Sequence, residues 1–120
     1  MIEGIYEGDL FEGVRHGQGT LEWANGDKYT GNFKNGLRNG QGVFVEKSGR
    51  IYNGHWALSM KDGFGEERWP NGDVFTGNYS QDKMNGSGTM VINYFSNFFL
   101  CILLKHPNLG YFCWKICRKL

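Results

Sequence analysis

The chain reads as all-β: a single-layer antiparallel meander of stacked β-hairpins. Three observations predict this class. An aromatic residue recurs every 23 residues, at Tyr6, Tyr29, Tyr52 and Phe75, and a period of this size marks a repeat architecture. Glycine (19 residues) and aromatic residues (16%) are both abundant. Glycine is costly inside helices and disordered chains are poor in aromatics, so neither a helical bundle nor a disordered segment fits. Turn signals, Asn25-Gly26, Ser48-Gly49 and Asn71-Gly72, return with the same period.

The period divides residues 1–92 into copies 6–28, 29–51, 52–74 and 75–92, the last cut short because Phe95 stands where its turn glycine belongs. Each copy opens with an aromatic, then a glycine two residues on (Gly8, Gly31, Gly54, Gly77), then a large apolar residue (Leu10, Phe33, Trp56, Tyr79). Residues two apart in a strand share a face, so these three lie together. The second strand opens on a glycine pair: Gly17 and Gly19, Gly40 and Gly42, Gly63 and Gly65, Gly86 and Gly88. Bulky positions follow, such as Leu21 and Trp23 or Met90 and Ile92. The glycines are read as structural, leaving room for a ring from a neighbouring strand to lie on the backbone. Short polar loops, such as Phe11 to His16, join the two strands of each copy. One copy cannot bury its own rings, so neighbours must do it.

These residues resemble the MORN repeat family. The run Tyr29-Thr-Gly31-Asn-Phe33-Lys-Asn-Gly36-Leu-Arg-Asn39-Gly40-Gln-Gly42 follows the family pattern, as does Tyr6-Glu-Gly8 through Thr20. Copy three departs where Ser59 replaces the loop glycine. The resemblance implies a scaffold for other proteins, in ciliary, flagellar or cytoskeletal assemblies or beside separate catalytic domains. It also implies end-to-end self-association in some members, and a link to anionic phospholipids.

Composition changes at Asn93. Residues 93–120 carry seven aromatics, four basic residues, one glycine and no acid. Their most apolar run, Phe98 to Leu104, is seven residues long, against the roughly 20 that a spanning helix needs. Three readings stay open for this tail. It is a helix or strand capping the last hairpin, an interfacial anchor using Trp114, Lys115, Arg118 and Lys119, or sequence foreign to the array.

Charge and cysteines narrow the function classes. Residues 1–92 hold nine basic against twelve acidic residues, net −3, which disfavours nucleic acid as a partner. All three cysteines (Cys101, Cys113, Cys117) lie in the tail, so the body has no disulfide framework and suits a reducing, cytoplasmic compartment. Residues 1–6 carry no basic n-region or apolar h-region, so no secretory signal is expected. Cys113-x-x-x-Cys117 with Cys101 and His106 lacks zinc-site spacing; surplus apolar thiols are the better reading, and no metal or cofactor is expected.

Two sets of residues are candidates for binding. Arg15, Arg38 and Lys61 stand nine residues after each leading aromatic, with Lys83 one residue early in copy four. Spaced about 9–10 Å apart by a two-strand repeat, they would form a rim for lipid phosphates or an acidic partner, unless they are merely solvated loop residues. Tyr6, Tyr29, Phe33, Tyr52, Trp56, Phe75 and Tyr79, with Trp23 and Trp69, form either a groove for a peptide or the core itself. His16, Asn39, Asp62 and Asn85 suit the turn backbone, and His55 an exposed strand position, better than catalysis. The expectation is a non-catalytic protein-interaction scaffold that self-associates through an open last strand at Thr89 to Ile92. The alternatives are an anionic-membrane module or the regulatory part of a larger enzyme.

Overall fold

In a computed structural model, the structure describes residues 3–94, 97–106 and 110–119. Eight strands come from the four copies: β1 (Glu3–Phe11), β2 (Val14–Trp23), β3 (Lys28–Lys34), β4 (Leu37–Val45), β5 (Ile51–Ala57), β6 (Met60–Arg68), β7 (Val74–Ser80) and β8 (Lys83–Tyr94). The tail adds β9 (Asn97–His106) and β10 (Gly110–Lys119). All ten form one open sheet in chain order, each strand antiparallel to the next.

The two kinds of turn differ from expectation in an informative way. Within each copy the loop is only two residues. Glu12-Gly13, Asn35-Gly36, Leu58-Ser59 and Gln81-Asp82 all take positive φ at both positions, the geometry whose twist matches paired strands. Between copies, only the glycine of Asn25-Gly26 and Asn71-Gly72 takes positive φ (97° in both). The asparagine instead accepts a hydrogen bond from the amide two residues on, at 2.9 Å in Asp27 and in Asp73.

The paired glycines have separate jobs. Gly8, Gly19, Gly31, Gly42, Gly54, Gly65, Gly77 and Gly88 pair in one line across β1 to β8, ending where Gly88 meets Leu103. A Cβ on Gly19, Gly42 or Gly65 would run into the ring of Tyr6, Tyr29 or Tyr52, and one on Gly88 into Phe75. The earlier glycine of each pair sits in a bulge. Gly31 pairs with Gly42 and Phe33 with Arg38, so one residue of β3 faces three of β4. Gly40, at the middle of those three, needs φ 95°.

The rings then stack edge to face in an unbroken chain. Successive centroid distances are 5.3 Å (Tyr6–Phe33), 5.1 Å (Phe33–Tyr29), 5.4 Å (Tyr29–Trp56), 5.2 Å (Trp56–Tyr52), 5.1 Å (Tyr52–Tyr79) and 5.8 Å (Tyr79–Phe75). Each such pair adds about 0.5–1.5 kcal/mol beyond burial. Tyr29, Phe33, Tyr52, Trp56, Phe75 and Tyr79 are buried, Tyr6 half-buried, so the rings are the core and not an open groove. Leu10, on the first strand, stays exposed because no earlier copy covers it.

The described part of the tail is extended and not helical, and it continues the sheet. β9 pairs along β8, with Thr89 opposite Ile102 and Ile92 opposite Phe99. The expected open edge at Thr89 to Ile92 is therefore occupied, and the outermost strands are β1 and β10. Cys101 and Leu103 join the core, and the Tyr111 ring ends the aromatic chain 6.4 Å from Phe75. Cys101 is disulfide-bonded, which corrects the reading of that residue as a surplus thiol. The side chains of Cys113, Cys117, His106, Trp114, Lys115, Arg118 and Lys119 lie outside the described residues. Among the described residues no helix is long and apolar enough to cross a membrane.

Candidate functional site

The basic column turns inward. Arg15 lies with its guanidinium carbon 5.7 Å from the Phe33 ring and 6.0 Å from Tyr6. Arg38 lies 4.7 Å from Trp56, 5.3 Å from Trp23 and 5.4 Å from Phe44. The Lys61 ammonium is 5.1 Å from Tyr52 and 5.6 Å from Tyr79. In a sheet with no second layer, each cation becomes a lid on the rings of neighbouring copies. Lys83 does not belong to this column. Its strand neighbour Met84 takes the fourth place and packs on the core, while Lys83 is exposed.

The column also latches successive loops. The carbonyls of Arg15, Arg38 and Lys61 accept from Gly36, Ser59 and Asp82, each at 3.0 Å. The Arg15 guanidinium donates back to Gly36 O at 2.8 Å and that of Arg38 to Ser59 O at 3.0 Å. Ser59 Oγ accepts from the Arg38 amide at 3.1 Å, and Asp82 Oδ1 from the Lys61 amide at 2.7 Å. The serine that breaks the glycine pattern thus contributes a bond that glycine cannot.

At the other end of the strands, Asp27 Oδ1 accepts from the Lys47 amide at 2.9 Å and Asp73 Oδ1 from the Asn93 amide at 2.7 Å. The intervening copy has Arg50 in the aspartate position and Pro70 in the amide position. Proline has no N–H to donate, so an acceptor there would have no partner.

Arg50 instead serves a buried carboxylate that the sequence reading did not single out. Glu67 is 0% exposed. It accepts from Arg50 Nε at 2.6 Å, Lys61 Nζ at 2.9 Å and Tyr79 Oη at 2.8 Å. Burial alone would raise its pKa; the hydrogen bond and charge of Lys61, then Tyr79 and Arg50, bring it below the usual carboxylate value. Burial and the Glu67 charge push the Tyr79 hydroxyl strongly upward. The signal was present in the period. Leu21, Phe44 and Met90 occupy the places equivalent to Glu67, and Asp27 and Asp73 those equivalent to Arg50.

One cleft of about 150 Å³ opens beside the column, lined by Arg15, Leu21, Trp23, Phe33, Leu37 and Arg38, among others. It brings Arg15 and Arg38 together with two apolar core edges. It does not reach Lys61 or Lys83. Of the turn candidates, His16, Asn39, Asp62 and Asn85 precede the bulge glycine and lie outside the two-residue turns; His16 tilts over Phe11 at 5.7 Å. His55 is exposed, as expected.

A family model described as MORN repeat matches residues 6–28, 29–49, 52–74 and 75–92, more than half of the chain. The second match stops just before Arg50, the residue that leaves the aspartate column. No curated protein matches the chain.

Proposed function

The chain belongs to the MORN repeat family, whose arrays are interaction or membrane-binding modules, and from that premise we propose that it is a non-catalytic protein-interaction scaffold. The observation that carries the choice is the inward column. Arg15, Arg38 and Lys61 rest on rings and latch loops, so they do not stand free as a rim for lipid phosphates. The polar cluster of Arg50, Lys61, Glu67 and Tyr79 is bonded within itself, which suits a load-bearing stack better than proton transfer. A sheet 50 Å long offers room for a partner segment along it. A cytoplasmic setting in a ciliary, flagellar or cytoskeletal assembly is the further part of this reading. The cysteine-free body supports a reducing compartment, and the Cys101 disulfide favours an oxidising one.

The test pairs two assays on the same protein. Affinity capture at physiological salt should retain a stoichiometric protein partner, and liposomes containing phosphatidate or phosphoinositide should not float the chain. Salt-sensitive flotation with no retained protein would overturn the scaffold reading in favour of the membrane.

A further inference from the structure

Nine and fifteen residues after their leading aromatics, the copies carry Arg15 and Leu21, Arg38 and Phe44, Lys61 and Glu67, Met84 and Met90. Copy three supplies a cation with its own carboxylate. Copy four carries neither charge. Copy two keeps the cation and lacks the acid.

Arg38 is half-buried among Trp23, Trp56 and Phe44. It donates to a carbonyl, Ser59 O, and forms no ion pair among the described residues. Burial lowers its pKa, and the Asp82 charge, beyond ion-pair distance, offsets this only in part. The cleft of about 150 Å³ opens at this guanidinium, with Trp23, Leu21 and Phe33 on its apolar side.

We propose that this cleft binds the C-terminal carboxylate of a partner peptide whose last side chain is apolar. Arg38 supplies the charge-assisted hydrogen bonds, and Trp23, Leu21 and Phe33 take the side chain. A chain terminus fits because its α-carbon bears both groups, which suits a cleft this small. Glu67 beside Lys61 shows the same pairing made internally one copy on. The proposal rests on the scaffold reading and narrows it to one contact.

The experiment titrates the full chain with N-acetyl-leucine, following Trp fluorescence and the Arg38 Nε–H NMR signal. Saturable shifts at Arg38 and Trp23 are expected, with N-acetyl-leucinamide weaker by about tenfold or more, as a lost charged hydrogen bond requires. R38Q should abolish the shifts. F44E should abolish them too, by placing an acid beside Arg38 as Glu67 stands beside Lys61. Equal binding of the amide would overturn the proposal, and that comparison uses the wild-type chain, whatever the variants do to folding. So would tighter binding of N-acetyl-glutamate α-amide, which points to a side-chain carboxylate, or of dihexanoyl phosphatidate, which points to lipid. Small probes need no partner, so this assay fails or succeeds separately from affinity capture.

Discussion

The Tyr29 ring lies on the backbone of Gly42, and its hydroxyl donates at 2.8 Å to the Asn32 carbonyl inside the bulge. The same pair of contacts joins Tyr6 to Gly19 and Asp9 O, and Tyr52 to Gly65 and His55 O. Burial pushes the Tyr29 and Tyr52 hydroxyls up to about 12, so both remain donors at any ordinary pH. Phe75 keeps the seat on Gly88 but has no hydroxyl to give.

The two halves of this contact should separate in denaturation curves. G42A places a methyl against the Tyr29 ring and is expected to cost about 3 kcal/mol, the upper range for overpacking. Y29F removes only the hydrogen bond and is expected to cost about 1 kcal/mol. Equal losses for the two variants would mean that the ring does not depend on its glycine seat.

Glu67 gives a test in which two changes do less harm than one. E67Q leaves Lys61 and Arg50 facing a neutral group and should cost about 3 kcal/mol. K61M/E67M copies the methionine pair of the fourth repeat, Met84 and Met90, and should melt well above E67Q. A double variant as unstable as the single one would count against this account of the cluster.

The same carboxylate predicts a pH dependence. Its folded pKa is lowered from 4.5, so the ionised form is favoured in the fold. Its contribution is fully present above the unfolded value and is lost as pH falls through the folded one. The wild-type melting temperature should therefore drop toward that of E67Q on acidification below about pH 4.5, the carboxylate range. A gap between them that stays constant through this window would contradict the linkage.

The Asp27 latch can be read at a single amide. D27A should cost about 1 kcal/mol and speed hydrogen exchange at the Lys47 amide, which donates to Asp27 Oδ1. Unchanged Lys47 exchange would show that the bond does not protect that turn.

Removing residues 97–119 should expose the β8 ladder from Gly88 to Tyr94. An unpaired strand is a template for another chain, so light scattering should show concentration-dependent association beyond that of the full chain. The same oligomeric state for the two forms at every concentration would leave β9 without a protective role.

The meander was legible because each role recurs at one spacing, so Tyr29, Tyr52 and Phe75 vouch for one another. The division of labour between Gly40 and Gly42 was not, since a bulge and a ring seat both ask only for a missing Cβ. Nor was the inward turn of Arg38. A cation near a hairpin loop is ordinarily solvated, and only a sheet without a second layer draws it over the rings. Glu67 was hidden for the opposite reason. It breaks the period, and its meaning appears only together with Arg50, which breaks the period in another column. The tail carries no repeat signal at all, because β9 and β10 extend the sheet through backbone pairing, which needs no particular residue.

The single row of ten strands has a mechanical consequence. Tension drawn across β1 and β10 runs along the hydrogen bonds, perpendicular to every strand. Such a load meets one pair of strands at a time, so the sheet peels and is not sheared as a whole. The contacts that resist each step are the ones that cross between repeats: the ring pairs, the Arg38 to Ser59 latch and the bonds from Arg50 and Tyr79 to Glu67. Copies two and three, where all three kinds meet, should be the last to let go.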